Sequence, residues 1–388
     1  MEAAIFICLK QNGNLEDNNT FGVDMLKLAT VFSGIGAIEQ ALKKQKIKYE
    51  IKFACDNGEI EISKSYDDIV EIIKDKSYTE KQNYIKELYL KSKKHNYMKD
   101  AYFANYDINE KNWYEDIRFI DGTIYKNDVD LFVGGSPCQS FSIMGKRKGL
   151  DDARGTLFYD YARLIKEIQP KVFIFENVPG MLAHDNGRTW EVIQEIFNQL
   201  NYKIYFSILN AKDYGIPQDR RRLFVVGFNK SKVKNISFEF PKPIKLKKQL
   251  KDFLEDKVDT KHYLGKKGFE FCTNPKYSNR VRLNHSIIQT QKANQQFNWV
   301  GDLVFEELKT KKHTKEILNR AYVGEWNGKK GVCRQLSYRE CMRLMGFPDT
   351  YKIVVPNVPA YRQAGNSIVV NVLEAIIKEI GKVIDLNA

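Results

Sequence analysis

The residues best suited to chemistry begin with Cys138. It follows residues 129–133, an apolar run broken only by Asp130 and long enough for a buried strand. Gly134 and Gly135 interrupt that run, and Pro137 stiffens the turn before the thiol. A cysteine there lies just beyond the carboxyl end of a strand, where open α/β sheets place reacting groups. A solitary cysteine would be read as a small buried hydrophobe, but its company argues otherwise. Residues 171–175 form a second continuous apolar run, closed by Glu176 and Asn177. Burying a carboxylate is costly without a partner. A nucleophile and a carboxylate at two strand ends can face one cleft. Gln218 to Arg222 lead into a third apolar run at residues 223–227. In an extended segment Arg220 and Arg222 fall on one face.

The elements that must position these groups start at residues 26–32, a predicted strand. Ser33, Gly34, Ile35 and Gly36 form a turn, and a helix is expected from Ala37. Glycines at that point let a ligand approach backbone at a helix N-terminus. Glu39 stands where a dinucleotide fingerprint would have its third glycine, so that fingerprint fits poorly. Residues 49–54 read as a strand ending in Cys55 and Asp56. An acid about 20 residues past such glycines can hold ribose hydroxyls. The ligand is therefore expected to carry a ribose, with no need for a pyrophosphate. Residues 60–98 read as two amphipathic helices inserted on the surface, without assigned chemistry. Residues 104–108 read as a short strand end, where Asp107 either accepts from a base amino group or caps a turn. A helix is expected over 336–345, with Ser337 as N-cap and Glu340 as its box partner. Ala364, Gly365, Asn366 and Ser367 precede an apolar helix at 368–380.

The chain has 388 residues and a formal charge of +13. Residues 230–330 hold 23 Lys and Arg against 11 Asp and Glu, so they carry +12 of it. A near-neutral body with one basic lobe suits a polyanion partner. Within that lobe Asn279, Arg280, Arg282, Asn284, Gln289 and Gln291 are side chains of the kind that read base edges. Residues 140–154 form a polar loop of lid length carrying Lys146, Arg147 and Lys148. The six cysteines form no C-x-x-C pair, so neither a zinc site nor any other metal is expected. No apolar run approaches a membrane span. A soluble, cytoplasmic protein is expected.

These stretches, in this order, resemble the cytosine-C5 DNA methyltransferases over essentially residues 26–380: Phe32 through Gly36; Pro137-Cys138-Gln139; Glu176-Asn177-Val178; Gln218 through Arg222; Arg334-Gln335-Leu336-Ser337 through Gly346-Phe347-Pro348; and Gly365-Asn366-Ser367. The resemblance implies a class I S-adenosylmethionine-dependent methyltransferase fold: α/β, a mixed seven-stranded sheet with helices on both faces, and a smaller target-recognition domain. It implies residues 1–240 with 333–388 as the catalytic and donor-binding domain, and 241–332 as the target-recognition domain. It makes Cys138 the nucleophile toward C6 of cytosine and Glu176 the carboxyl group at N3 and the exocyclic amine. Arg220 and Arg222 would support the base and the active-site loop. Phe32, Gly34, Gly36, Asp56, Asp107, Ile108, Pro137, Asn366 and Ser367 would hold S-adenosylmethionine. Asp56 stands where many relatives have Glu. Gln139, Ser142, Met144, Lys146, Arg154, Arg280 and Arg282 would contact DNA, with Met144 near the tip of the loop over the flipped base. The implied partners are duplex DNA and a restriction endonuclease acting on the same sequence without direct contact. A monomer in the cytoplasm of a bacterium, or encoded by a phage, associated with the nucleoid, is expected. A tRNA methyltransferase on the same scaffold, a DNA-binding module with a decayed catalytic body, and a nicotinamide-dependent dehydrogenase are the competing readings. The missing third glycine and the unexplained Pro-Cys-Gln element count against the last.

Overall fold

Apolar strands bordered by turn residues need cover on both faces, and the sequence supplies helices between them. In the computed structural model, which describes residues 25–136, 156–294, 299–309 and 312–386, they form one seven-stranded sheet. The strands are β1 (Leu26–Val31), β2 (Tyr49–Cys55), β3 (Trp113–Tyr114), β4 (Leu131–Gly134), β5 (Val172–Asn177) and β6 (Tyr202–Asn210). After a two-residue strand β7 (Gln218–Asp219) comes β8 (Arg221–Asn229). The order is β3-β2-β1-β4-β5-β8-β6. β8 runs antiparallel to its neighbours β5 and β6, and the pairs from β3 to β5 are parallel.

Alternation divides each central strand between two cores. Leu26, Leu28, Leu131, Val133, Val172 and Ile174 face one side, while Ala29, Val31, Phe132, Phe173 and Phe175 face the other. The first core is covered by α1 (Ala37–Lys44), and the second and third helices, α2 (Tyr66–Ile73) and α3 (Tyr78–Lys91), lie apart from it. α4 (Tyr97–Asn105) joins α1 through Met98, Ala101 and Tyr102. The second core is covered by α5 (Leu157–Ile168) and α6 (Arg188–Gln199). The insert has its own small core of Ile60, Ile69, Ile73, Ile85 and Tyr89. Ser65 and Ser77 cap its helices, the latter in a box with Glu80.

The basic segment builds α7 (Lys266–Thr273), β9 (Val281–Leu283), β10 (Ile288–Gln289), β11 (Gly301–Glu307), α8 (Lys315–Arg320), β12 (Gly324–Trp326) and β13 (Lys329–Gln335). Four of these strands make a second sheet, in the order β12-β13-β11-β9, around Leu264, Phe269, Leu303, Phe305 and Cys333. Its last strand runs on to Gln335, past the expected boundary at 332. β10 instead leaves that sheet and pairs in parallel with β7 of the body. The chain then returns through α9 (Tyr338–Arg343), α10 (Asn357–Asn366) and α11 (Val370–Ile380), which packs on α1. Among the described residues no helix is long and apolar enough to cross a membrane.

One local expectation changes. Ala104 and Asn105 end helix α4 and do not form a strand; the edge strand is Trp113–Tyr114. Asn96, whose side chain accepts from the Met98 and Lys99 amides, starts α4 and carries it to Asn105. Residues 364–366 finish α10, and the apolar helix expected after them is α11, from Val370 to Ile380. Pro359 lies in the first turn of α10, where its missing N–H costs nothing.

Candidate active site

The carboxyl ends of β1, β2, β4 and β5 lie side by side, and the functional side chains emerge there. After β1, Phe32, Gly34 and Gly36 have φ of 52°, 53° and 76°. This left-handed series folds the chain back into α1, whose N-terminus has no side-chain cap. A Cβ on Gly36 would lie 2.2 Å from the Tyr106 ring, so only glycine fits. Among the described residues, a Cβ on Gly34 would meet nothing within 4 Å. Among them the space above Gly34 is therefore open, beside an uncapped helix N-terminus. At the end of β2 the Asp56 carboxylate accepts from the Gly34 amide at 2.8 Å and from Gly58 at 2.9 Å. Burial raises its pKa, and those two amides pull it down. Across from it Asn366 ends α10, exposed, and its Nδ2 donates to Glu59. Ser367 is buried behind it, its hydroxyl donating to the Ile368 carbonyl. A carboxylate, a glycine turn and a helix N-terminus without a side-chain cap among the described residues together suit a ribose-bearing cationic donor.

Asp107 and Ile108 do not sit at a strand end. Asp107 is exposed in the loop after α4. The residues that follow the edge strand are Glu115, Asp116 and Ile117, and the last two are buried. Asp116 is already engaged by the Arg118 guanidinium and by the Tyr89 hydroxyl of the insert, at 3.0 Å.

The β4 and β5 ends are clamped together. Asn177 Nδ2 donates to the Ser136 carbonyl at 2.8 Å. A Cβ on Gly135 would come within 2.8 Å of the Glu176 carbonyl oxygen and 2.9 Å of Glu176 Oε2. Gly135 thus lets the end of β4 close on Glu176. Burial raises the Glu176 pKa, while Arg222 and Arg220 oppose it. Arg222 Nε stands 3.1 Å from Glu176 Oε1. Arg220 goes elsewhere. Its guanidinium is buried and donates to the carbonyls of Gln291, Gly365 and Ser367 at 2.9–3.0 Å. Burial and the Arg222 charge push its pKa down to about 9. Arg220 therefore ties the site to α10 and to the segment after β10, and of the two arginines Arg222 is the one in ion-pair contact with the carboxylate. Cys138 lies two residues past Ser136, outside the described residues, as do Pro137, Gln139, Ser142, Met144, Lys146 and Arg154.

In the small lobe, Arg280 is exposed, its guanidinium 5.9 Å from the Phe271 ring centre. Arg282 is partly tethered, donating to the Ile287 carbonyl at 2.8 Å and standing 3.5 Å from Asp302. Two of the expected base readers serve the fold. Asn284 pairs its amide with both backbone groups of Phe305, at 2.8 and 2.9 Å. Gln291 is buried; its backbone N–H donates to Gln218 Oε1 at 2.9 Å, and its side-chain Nε2 donates to the Cys341 carbonyl at 3.4 Å. Sequence reasoning missed Gln218 as a structural joint: its Nε2 reaches the Leu344 carbonyl, so one side chain links β10 and α9. The only sequence signal is an amide inside an otherwise charged stretch.

A family model described as C-5 cytosine-specific DNA methylase matches residues 26–382. Among curated proteins, Type II methyltransferase M.SsoII of Shigella sonnei is 39% identical over 69% of this chain and 69% of its own length. Type II methyltransferase M.HhaI of Haemophilus parahaemolyticus is 39% identical over 66% of this chain and 76% of its own. Among solved structures, S. pombe Dnmt2 methyltransferase aligns with a TM-score of 0.61 at 18% identity, covering 92% of this chain and 99% of its own, a likeness of fold. The matched model spans the glycine turn, the clamped β4 and β5 ends and the paired arginines, and the chain belongs to the C-5 cytosine-specific DNA methylases, enzymes that transfer a methyl group from S-adenosylmethionine to C5 of cytosine in DNA.

Proposed function

We propose that Cys138 is the nucleophile of this methyl transfer and that Glu176 and Arg222 serve it directly. The observation that carries the reading is the clamp between Gly135 and Glu176, because it brings the chain leading to Cys138 against a half-buried carboxyl group. The Cys138 thiolate adds to C6 of a cytosine swung out of its duplex, forming a C–S bond and sending electron density to C5. The Glu176 carboxyl group, whose pKa burial raises, hydrogen-bonds at N3 and stabilises the charge that gathers there. Arg222 fixes its orientation. The bound donor supplies a methyl group made electrophilic by its sulfonium. Loss of the C5 proton to a base then expels the sulfur and restores the ring. Gly34, Gly36, Asp56 and Asn366 hold the donor, with Asp56 on the ribose.

The lobe of residues 241–332, extended through β13, reads the duplex, with Arg280 the freer of its two arginines. Its excess of positive charge supports phosphate contact. The Type II names of the relatives support a modification enzyme paired with an endonuclease in the cytoplasm. The decisive experiment uses duplex DNA containing 5-fluorocytosine. With donor present, the wild type should form a denaturation-resistant adduct, and Cys138→Ala should form none. An adduct on Cys138→Ala, or 5-methylcytosine produced by it, would overturn the assignment.

A further inference from the structure

Glu59 lies on no motif, yet the fold fixes it at the rim of the donor side. It follows Asp56, which holds the Gly34 and Gly58 amides. Gly58 and Glu59 have φ of 63° and 59°, two consecutive left-handed residues. The second lacks glycine's freedom, so this backbone is strained and must be held by its surroundings. Asn96 holds it from the other side, donating to the Asp56 carbonyl at 2.8 Å. A Cβ on Gly58 would come 2.4 Å from Asn96 Oδ1. The result aims the Glu59 carboxylate at the end of α10. Oε1 accepts from Asn366 Nδ2 at 2.6 Å, and Oε2 from Arg362 Nη1 at 2.9 Å. Both charged side chains are 46% exposed, so the pair faces solvent.

Resting on the donor reading above, we propose that Glu59 and Arg362 recognise the amino-acid end of the donor, Glu59 taking its ammonium and Arg362 its carboxylate. A ribose held at Asp56 leaves the donor's tail to run along this rim toward Asn366. The tail is a zwitterion, and the rim offers one carboxylate beside one guanidinium. An exposed ion pair contributes little in water. Opening it costs little, and two charge-assisted contacts with the ligand replace it. The strained turn has a purpose in this arrangement, since it delivers a carboxylate that neither β2 nor α10 could supply.

The test compares S-adenosylhomocysteine with 5′-methylthioadenosine, which lacks the amino-acid end, by calorimetric titration of the full chain. Glu59→Gln and Arg362→Met should each weaken S-adenosylhomocysteine by about tenfold and leave 5′-methylthioadenosine unchanged. The charge-swapped double variant, Glu59→Arg with Arg362→Glu, rebuilds the bridge with reversed polarity. Recognition of the donor predicts that its affinity for S-adenosylhomocysteine stays weak. Recovery to the wild-type value would show a merely structural bridge and overturn the inference. So would equal weakening of both ligands, or of neither, in the single variants. A wild type that binds neither probe would bring down the donor reading itself, a result distinct from all of these.

Discussion

Arg334 and Glu340 form a bidentate pair with no exposed surface: Nη1 and Nη2 each donate to the carboxylate at 2.8 Å. Arg334 belongs to β13 of the small sheet, and Glu340 to α9 of the body. The third donor of the same guanidinium, Nε, reaches Glu306 of β11 at 2.7 Å. One arginine thus braces the small sheet through Glu306 and joins it to the body through Glu340. Removing one member of such a buried network strands the others. Arg334→Met should cost about 3–5 kcal/mol in urea unfolding. It should also broaden the transition, because the two lobes lose a shared anchor. A loss below about 1 kcal/mol, typical of exposed pairs, would show that the network is not the joint described.

The same cluster predicts how stability responds to acid. Burial alone would raise the Glu306 pKa, but the Arg334 and Lys312 charges and hydrogen bonds overrule it and bring it down to about 2. The folded value lies below the unfolded one, so the native state favours the ionised form. That contribution is fully present above the ordinary carboxylate range and is lost as pH falls from about 4.5 toward about 2. Glu306→Gln should therefore flatten the acid side of the stability curve between those limits. Urea midpoints measured at successive pH values check this, and parallel curves for wild type and variant would contradict it.

Gly34 and Gly36 share a left-handed backbone but differ in what surrounds them. Alanine at Gly36 would push a methyl group into the Tyr106 ring, adding a clash to roughly 1–2 kcal/mol of backbone strain. Gly36→Ala should lower the melting temperature markedly. Among the described residues alanine at Gly34 meets only open space, so its thermal effect should be confined to the backbone term. Its methyl group instead enters the proposed donor space. Gly34→Ala should then lose affinity for S-adenosylhomocysteine out of proportion to its lost stability. Equal behaviour of the two variants in both measurements would remove the distinction.

Much of this was legible in the sequence because buried parallel strands read as apolar runs. β1, β4 and β5 stand out, and so do the polar residues that stop them. The edge strand did not, since two residues, Trp113 and Tyr114, carry no period. Residues 104–108 read as a strand end in the sequence, but the Asn96 cap carries helix α4 on through Asn105. The amides of Asn284 and Gln291 look the same in sequence whether they read bases or brace backbone. Only burial and partners separate the two roles. The Arg334 network was out of reach for another reason: Glu306 is 28 residues away in the chain, and register alone brings it across.

The contact between Gly135 and Glu176 yields the sharpest functional prediction. Gly135→Ala places a methyl carbon 2.8 Å from the Glu176 carbonyl oxygen and 2.9 Å from its carboxylate, so the β4 and β5 ends must part. The donor side, built from β1 and β2, is untouched. The variant should keep its affinity for S-adenosylhomocysteine and lose turnover, because a displacement of about 1 Å at reacting groups can cost 100-fold. Glu176→Gln should lose at least as much in kcat, about 100-fold or more, without the strain. The two losses should not multiply in the double variant, since both act through one carboxyl group. Single-turnover methylation of duplex DNA by wild type, both single variants and the double variant measures this directly. Fully multiplicative losses would mean that Gly135 acts on something other than Glu176.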